Sequence, residues 1–561
     1  MFALTNLVRN EFFPKELPPC FTTSKVTDLL SLEELETLGK TDYNEKESSS
    51  ITFSGYKAET ARRKFSVPNY IYYIKLAKLL TDNSEKIFYI FEKANHVSLT
   101  APIKKTPDDL SPYIKIAQTF HDSGVEIEKL YYENLYELHL DISSFFDSIY
   151  THSIAWAVEG KHVAKDKQKD MTLLGNKLDC LVRKMNLNQT NGILIGNALS
   201  RIISEIILCT IDENIQRDLP NLQYRRYVDD YYIFTSNGFE IPNIISIVRK
   251  RLNEYGLSIN ENKIQISESP FIFGKPWIES VRQYIHLDPL IFLNHIIIEY
   301  KNYKDVSLLR YGLKVISLYE YSDKSWKIIE SKILNLLASF PSLADVIIQI
   351  LILNKKKISK RKLKRTLYSI IDNTINLSYD QELIWMTWYI KVFNIDISIE
   401  YSLKILNTEN TFACIILLDY LKRDMNNTYK NSAIRRWREK IQSEMESLND
   451  TIMRTKYWLL AYEGTRNKWF NGDREFKKVN TDSCFKFLLD KKVQFYLNDF
   501  EYEVSTKKKS PLYATREEVI EKFNELKNII CNQNLSEKDK VEAIQVIDFD
   551  KFEKILASNE Y

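Results

Sequence analysis

Residues that interrupt regular structure are spread very unevenly along this chain, and their distribution constrains its fold more than any other feature. Twelve of the 14 prolines and ten of the 13 glycines precede residue 301. The last 261 residues hold only Pro341, Pro511, Gly312, Gly464 and Gly472. So long a stretch, poor in helix breakers and rich in Leu, Ile and Lys, predicts stacked helices. Leu308–Leu318, Ile328–Leu337 and Trp385–Phe393 carry apolar residues at three-to-four spacing. No crisp repeat consensus is present, so the expectation for residues 301–561 is an all-α, degenerate helical-repeat (HEAT-like) domain or an irregular bundle. The boundary is expected near 295–310. Before it, both periodicities occur. Val125–Lys129 and Leu135–Ile142 predict strands, and Gly196–Arg217 and Ile244–Tyr255 predict helices. Gln223–Phe234 predicts a hairpin and Leu257–Ile266 a further strand pair. Residues 1–300 are expected to form one α+β domain.

Composition adds limits. A chain of 561 residues with 44% apolar content is long enough for several packed cores. A formal net charge of +3 does not mark a nucleic-acid binder in bulk, so any basic groove must be local. The 34 tyrosines and 28 phenylalanines suit cores and also base stacking. The six cysteines form no CxxC pair, which predicts free thiols in a reducing compartment. The opening segment MFALTNLVRNEFFPKEL has polar and acidic breaks where a signal peptide needs an apolar run. The most apolar stretch, Val346–Leu353, is too short to span a bilayer. A soluble, cytoplasmic protein is expected.

The chemistry begins at Leu135–Phe146, LYELHLDISSFF. Alternation puts Glu137, His139 and Asp141 on one face of a strand and leaves Asp141 at its end. By itself such an Asp is a turn or helix cap. Tyr227–Phe234, YVDDYYIF, sets two adjacent acids inside an apolar, aromatic run. Like charges side by side are costly there without a cation. A hairpin with arms Arg225–Val228 and Tyr231–Phe234 would put the Asp pair at its tip. Asp141, Asp229 and Asp230 brought together suit two Mg²⁺ ions, with Mn²⁺ as a substitute, for attack of a hydroxyl on a nucleoside triphosphate. Such a transfer needs mainly positioning and charge neutralisation.

These residues, in this order, resemble the palm motifs of reverse transcriptases. Asp141 with Phe146 is similar to the first motif, and Tyr227-Val228-Asp229-Asp230 to the metal-binding hairpin. Ala61–Pro68, with Arg62, Arg63 and Lys64, resembles the basic fingers segment. Gly192–Gly196 with Ser200 resembles the motif leading into the helix under the nucleotide, and Gly256 through Lys263 the loop whose Lys assists the leaving pyrophosphate. The resemblance spans roughly 55–275. Tyr150–Ile154 with Trp156, Gly160 and Lys161, and Gly196-Asn197 with Ser200–Ile203 and Glu205, are similar to bacterial antiphage reverse transcriptases. That is the abortive-infection (Abi) and defence-associated group, AbiK-like members above all. The group carries a helical-repeat domain after a right-hand-like fingers and palm. AbiK-like members build DNA without a template, prime on their own tyrosine and form symmetric homo-oligomers (trimers or hexamers).

The resemblance implies roles. Asp141, Asp229 and Asp230, with the Ile142 backbone carbonyl, would hold metal, and Asp230 would ligate or only tune Asp229. Phe146 would exclude a ribose 2′-hydroxyl, unless it is plain core. Arg62, Arg63, Lys64, Gly196 and Ser200 would line the dNTP site, although three cations in a row also suit a solvated face. Lys263 follows an Asn-Glu-Asn turn and would be catalytic or merely exposed. Arg201 and Glu205 stand four apart and would pair. His152 reads as structural. Tyr227 would contact single-stranded product; the run beginning Lys355, Lys356, Lys357 suits a solvated surface and could also line a path for that product. One departure matters: templated members carry Pro-Gln where this chain has Leu194-Ile195. The Gln supports a template–nucleotide pair, so its absence favours untemplated synthesis. Three functions remain open: a protein-primed, untemplated DNA polymerase with covalently attached DNA, a templated enzyme using a partner non-coding RNA, and an inactive helical scaffold. No priming residue stands out; Tyr43 and Tyr561 only look accessible. No histidine follows His295, which argues against an appended Arg–His ribonuclease site.

Overall fold

The structure, a computed structural model, describes residues 2–502 apart from 59–60, 95, 105–119, 271–274, 286–287, 318–320, 322, 424–430, 433, 438, 440–451 and 470–478. It comprises two compact units. The first gathers residues 1–273, 336–345 and 359–500; the second gathers 274–335, 346–358 and 501–561, of which 503–561 lie outside the described residues. That tail includes Tyr561 and the end of the expected helical domain.

Two antiparallel sheets lie in the first unit. β1 (Ile51–Ala58) pairs with β2 (Ala61–Val67). β3 (Tyr136–Asp141), β4 (Gln223–Tyr227), β5 (Asp230–Thr235) and β6 (Gln265–Glu268) form a sheet in the order β4-β5-β3-β6. Leu138 and Leu140 turn one face of β3 into the core, as the alternation predicts.

The expected helices form. Helix α1 (Tyr70–Asp82) starts at an Asn69 cap, and its Tyr70 and Tyr73 are fully buried. The segment expected as a first strand, Val125–Lys129, is instead inside helix α2 (Phe120–Glu133). Its short run fits both periods, and tertiary packing selects the helical one. Ile127, Leu130 and Tyr131, at i, i+3 and i+4, meet Leu99 and Phe234. Helix α3 (Ala198–Asp218) buries Leu199, Ile202, Ile203, Ile206 and Ile207 on one stripe. Helix α4 (Ile241–Asn253) follows the β4–β5 hairpin. Leu257–Ile266 is not a strand pair: Ile259 makes one bridge to Ile142, Glu261–Lys263 is a 3₁₀ turn, and only Gln265 onward is strand, paired with β3. With β3 as a ready partner edge, the segment does not fold on itself.

The breaker-poor region is helical where described. Helices α5 (Lys360–Leu377), α6 (Asp380–Val392), α7 (Thr411–Lys422) and α8 (Trp458–Arg466) belong to the first unit. Every residue of α6 from Gln381 to Ile390 is buried, so this helix is a core element wrapped on all sides. Its N-terminal turn meets β1. Ser54 N–H donates to Asp380 Oδ2 (2.8 Å) and Tyr56 N–H to Gln381 Oε1 (2.8 Å). Ser54 Oγ donates to the Ser378 carbonyl (2.6 Å). Side chains thus satisfy the β1 edge that no strand pairs.

The second unit holds helices Pro289–Tyr303 and Val306–Ile316, capped by Asp288 and Asp305. It also holds the Lys355–Lys357 3₁₀ turn. Among the described residues no single helix is long and apolar enough to cross a membrane. Cys20, Cys180, Cys209 and Cys414 are buried thiols.

Candidate active site

β3 and β5 run antiparallel in a register that sets Asp141 directly opposite Asp230. β4 and β5 close one residue earlier than the sequence suggests. Tyr227 pairs with Asp230, so the two-residue tip is Val228-Asp229 and Asp230 is the first residue of β5. Asp229 is fastened to β3 through its own carbonyl, which accepts from Ile142 N–H (3.2 Å). Three carboxylates from two strand ends and one turn therefore converge. Burial pushes the Asp229 carboxyl up to about 6, and the charges of Asp230 and Asp141 push in the same direction.

Three further groups touch these acids. Lys263 Nζ lies 3.0 Å from Asp141 Oδ2, brought there by the 3₁₀ turn. Asn260 Nδ2 donates to the same oxygen (3.2 Å), and Asn260 N–H donates to the Asp141 carbonyl (2.7 Å). His139 Nε2 stands 3.1 Å from Asp230 Oδ1, its ring stacked on Tyr232. Asn260 and His139 had no assigned role in the sequence. For His139 the signal was present, since its alternation with Asp141 puts both on one face.

The tip is strained. Val228 has φ +53°, a left-handed value that costs a β-branched residue roughly 1–3 kcal/mol. Beneath it Arg226 is completely buried. Arg226 bonds Asp212 (2.8 Å), Glu205 (3.0 Å) and the Val228 carbonyl (2.8 Å). One guanidinium serves two buried acids unequally. Burial is the largest influence on both; Arg226 overcomes it at Glu205, held below the usual range, but not at Asp212, which is pushed up. The expected Arg201–Glu205 pair does not form: Arg201 instead bonds Glu11, and Glu205 accepts from Arg226, Ser98 and Thr100.

The expected nucleotide-lining residues separate into two groups. Phe146 is half-buried beside Phe145, and its carbonyl accepts from Ile193 N–H (2.9 Å), which ties the first motif to the Gly192–Gly196 segment. Gly196 has φ +113°, and a Cβ there would meet Pro14 Cγ at 2.6 Å, so only glycine fits. Ser66 N–H donates to the Ile195 carbonyl (2.9 Å), joining β2 to the same segment. Arg63 and Lys64 are exposed on β2, and Arg63 is near enough to Asp229 to oppose its upward shift.

Two residues are engaged elsewhere. Arg62 turns away into a two-pronged pair with Glu382 (2.6 Å for each bond), and its guanidinium lies 4.2 Å from the Tyr379 ring centroid. Ser200 is buried in the cap of α3, where its hydroxyl accepts from Asn197 Nδ2 (3.0 Å). Tyr227 is 40% exposed beside the tip. His152 pairs with buried Asp179 (2.8 Å), as a structural histidine does. Lys355, Lys356 and Lys357 are exposed in the second unit, and Lys357 bonds the Tyr321 carbonyl (2.7 Å). Tyr43 is half-buried.

The donor set fits a divalent cation. Of the described residues, Lys263 is the one cation in direct contact with the three acids, and burial together with the neighbouring acids holds the Asp229 carboxyl above its ordinary range. Among the described residues no group of three or more acidic, His or Cys side chains is placed to hold a metal ion by itself. An open carboxylate edge is what Mg²⁺ uses when waters and substrate phosphates complete its shell.

Residues 90–284 match the family model described as reverse transcriptase (RNA-dependent DNA polymerase), which marks this part of the chain as a reverse-transcriptase nucleotidyltransferase domain. No curated protein matches the chain. Among solved structures it is similar to Candida tropicalis telomerase truncated from its C-terminal domain, at 14% identity over 45% of this chain and 57% of that one, TM-score 0.29. Candida albicans telomerase with the TWJ fragment of telomeric RNA gives 12% identity, 62% of each chain and a TM-score of 0.30. Apo Candida tropicalis telomerase gives 12% identity, 63% of this chain and 66% of that one, TM-score 0.31. The chain thus spans less than two thirds of the length of these telomerases, and overlaps this loose bear on nothing further.

Proposed function

We propose that this reverse-transcriptase-type enzyme is an antiphage DNA polymerase of the abortive-infection group, adding dNTPs without a template to a tyrosine hydroxyl of its own. The observation that carries polymerisation is the register that opposes Asp141 and Asp230 beside Asp229. In this reading Asp141 and Asp229 hold two Mg²⁺ ions, or Mn²⁺ in their place, with Asp230 and the Ile142 carbonyl beside them. When bound, the ions neutralise phosphate charge and favour the hydroxyl as nucleophile. Ile142 N–H donates to the Asp229 carbonyl, which keeps this residue beside the hairpin tip. Arg63 and Lys64 steer the triphosphate, and Lys263 leaves Asp141 to donate to the departing pyrophosphate. Half-buried Phe146 excludes a 2′-hydroxyl, and Gly196 lets the backbone approach the nucleotide. Ser200 acts through the α3 cap.

Template independence rests on Leu194 and Ile195. They stand where templated members place Pro-Gln, so Ile195 replaces the Gln, and Leu194 is buried. The helices after residue 300 are read as degenerate HEAT-like repeats. The assembly is read as a homo-oligomer in the cytoplasm, with Tyr227, Lys355, Lys356 and Lys357 along the single-stranded product. A templated enzyme with a partner RNA is the second reading, favoured by the RNA-dependent description of the matched family.

The test is incubation of purified protein with Mg²⁺ and each dNTP, without template or primer. Product is then resolved with and without protease. DNA that enters the gel only after proteolysis supports priming on protein. Synthesis only after RNA is added overturns the first reading. Polymerisation by Asp229→Ala removes the site assignment.

A further inference from the structure

A closed ring of hydrogen bonds surrounds the strained tip residue. Val228 N–H donates to Thr100 Oγ1 (3.2 Å). Thr100 Oγ1 donates to Glu205 Oε1 (2.6 Å). Arg226 Nη1 bonds the same Glu205 oxygen (3.2 Å) and also the Val228 carbonyl (2.8 Å). Both backbone polar groups of one residue are thus held by two side chains, Thr100 and Arg226, which Glu205 links from α3. Neighbouring bonds fix the ring. Ser98 Oγ donates to Glu205 Oε2 (3.0 Å), Leu99 N–H to the Arg226 carbonyl (2.9 Å) and Arg226 N–H to the Val97 carbonyl (2.8 Å). Arg226 and Glu205 are 0% and 4% exposed at their side chains, so water does not compete for these bonds.

We infer that Thr100, Glu205 and Arg226 are positioning residues for metal binding. They lock Val228 in its left-handed conformation and so set where Asp229, the next residue, stands. The argument has three parts. A free Val would leave the left-handed region, because its branched Cβ clashes there. Leaving would rotate the peptide between Val228 and Asp229. The Asp229 carbonyl is anchored by the Ile142 bond, and the ring adds a point on the other side of the Val228–Asp229 peptide that fixes the carboxylate's direction. The inference rests on the reading of Asp229 as a metal-holding acid.

Arg226 is a poor test residue, because its removal strands two buried acids and would unfold the protein. Thr100→Val keeps the shape and removes the hydroxyl; Thr100→Ser retains the hydroxyl. Mn²⁺ affinity is measured by titration calorimetry, alongside the Mg²⁺ concentration giving half-maximal dNTP incorporation and the melting temperature in chelator. Thr100→Val should weaken Mn²⁺ binding by about tenfold and raise the half-maximal Mg²⁺ similarly, with Thr100→Ser restoring both. In a Val228→Gly background, where the conformation is no longer held against strain, adding Thr100→Val should change metal affinity less than it does in the parent. A Thr100→Val protein that melts lower yet binds Mn²⁺ as the parent does makes the ring purely structural and overturns the inference. Asp229→Asn separates the two failures. If it loses metal while Thr100→Val does not, only the ring falls; if it too binds normally, the site reading falls with it.

Discussion

In the β4–β5 hairpin the arginine beside the tip, Arg226, folds under its own turn and is sealed against Glu205 and Asp212. In the β1–β2 hairpin Arg62 reaches out to Glu382, 320 residues later in the chain. Both hairpins are antiparallel, but their anchors differ in range. The acid-bearing tip is held by residues between Ser98 and Arg226, all inside the matched segment 90–284. The basic hairpin is held by the start of helix α6, far outside it. Where acids must stand at fixed separations, the restraint is local and buried. The hairpin whose exposed Arg63 and Lys64 are proposed to meet a substrate sits instead on a remote support.

The largest expected effect tests the local side. Asp229→Asn should lower dNTP incorporation on the order of 10³-fold. Its stability should move the other way. An acid raised from an ordinary 3.8 to about 6 favours the folded state below about pH 4, and that contribution is lost as pH rises through 6. At pH 8 in chelator the charged Asp229 costs roughly 2–3 kcal/mol. Asp229→Asn should therefore melt above the parent at pH 8 without metal. The advantage should vanish at pH 4 and shrink when Mg²⁺ is added. A variant that melts lower at pH 8 would mean the acids are already compensated.

On the remote side, Arg63→Ala should raise KM for dNTP by about tenfold with little change in melting temperature. Arg62→Met should do the reverse, losing stability while KM holds. An equal rise in KM for both variants would show Arg62 leaving Glu382 for substrate, and the contrast between the hairpins would fail. A double-mutant cycle on Arg62 and Glu382, read by denaturant unfolding, should give a coupling of about 1–3 kcal/mol, since the pair is bidentate and Glu382 is 3% exposed at its side chain. The smallest effect belongs to Lys355→Ala/Lys356→Ala. If both touch product phosphates, the salt slope for single-stranded DNA should fall by about 1.4. An unchanged slope would leave them as solvated surface.

How far the sequence could be read follows the same division. Asp141, Asp229 and the hairpin between Gln223 and Phe234 were legible because alternation and adjacent acids are local signals. The turn was misplaced by one residue, because a Val at positive φ is intrinsically unfavourable and only the Arg226 ring makes it tenable. Val125–Lys129 was misread because a short apolar run carries too few residues to separate periods of two and 3.6. Ile127, Leu130 and Tyr131 show the helical period only with their neighbours included. Glu205 was matched to Arg201 by helical spacing, whereas a buried carboxylate takes the partner that is also out of water. Arg62's engagement with Glu382 had no local signal. Composition showed that the chain turns helical after about residue 300, yet a count of breakers cannot say which helix returns to which sheet.

The contact between β1 and the first turn of α6 also sets a clock. Ser54 N–H is satisfied by Asp380, 326 residues downstream. At roughly 5–20 residues per second, a ribosome needs about 16–65 s to deliver that partner after the hairpin itself has emerged. Throughout that interval the nascent strand presents the Ser54 and Tyr56 amides as an open edge, able to pair with any extended segment nearby. The emerging chain is therefore exposed to misassembly at this hairpin early in synthesis, long before α6 is made.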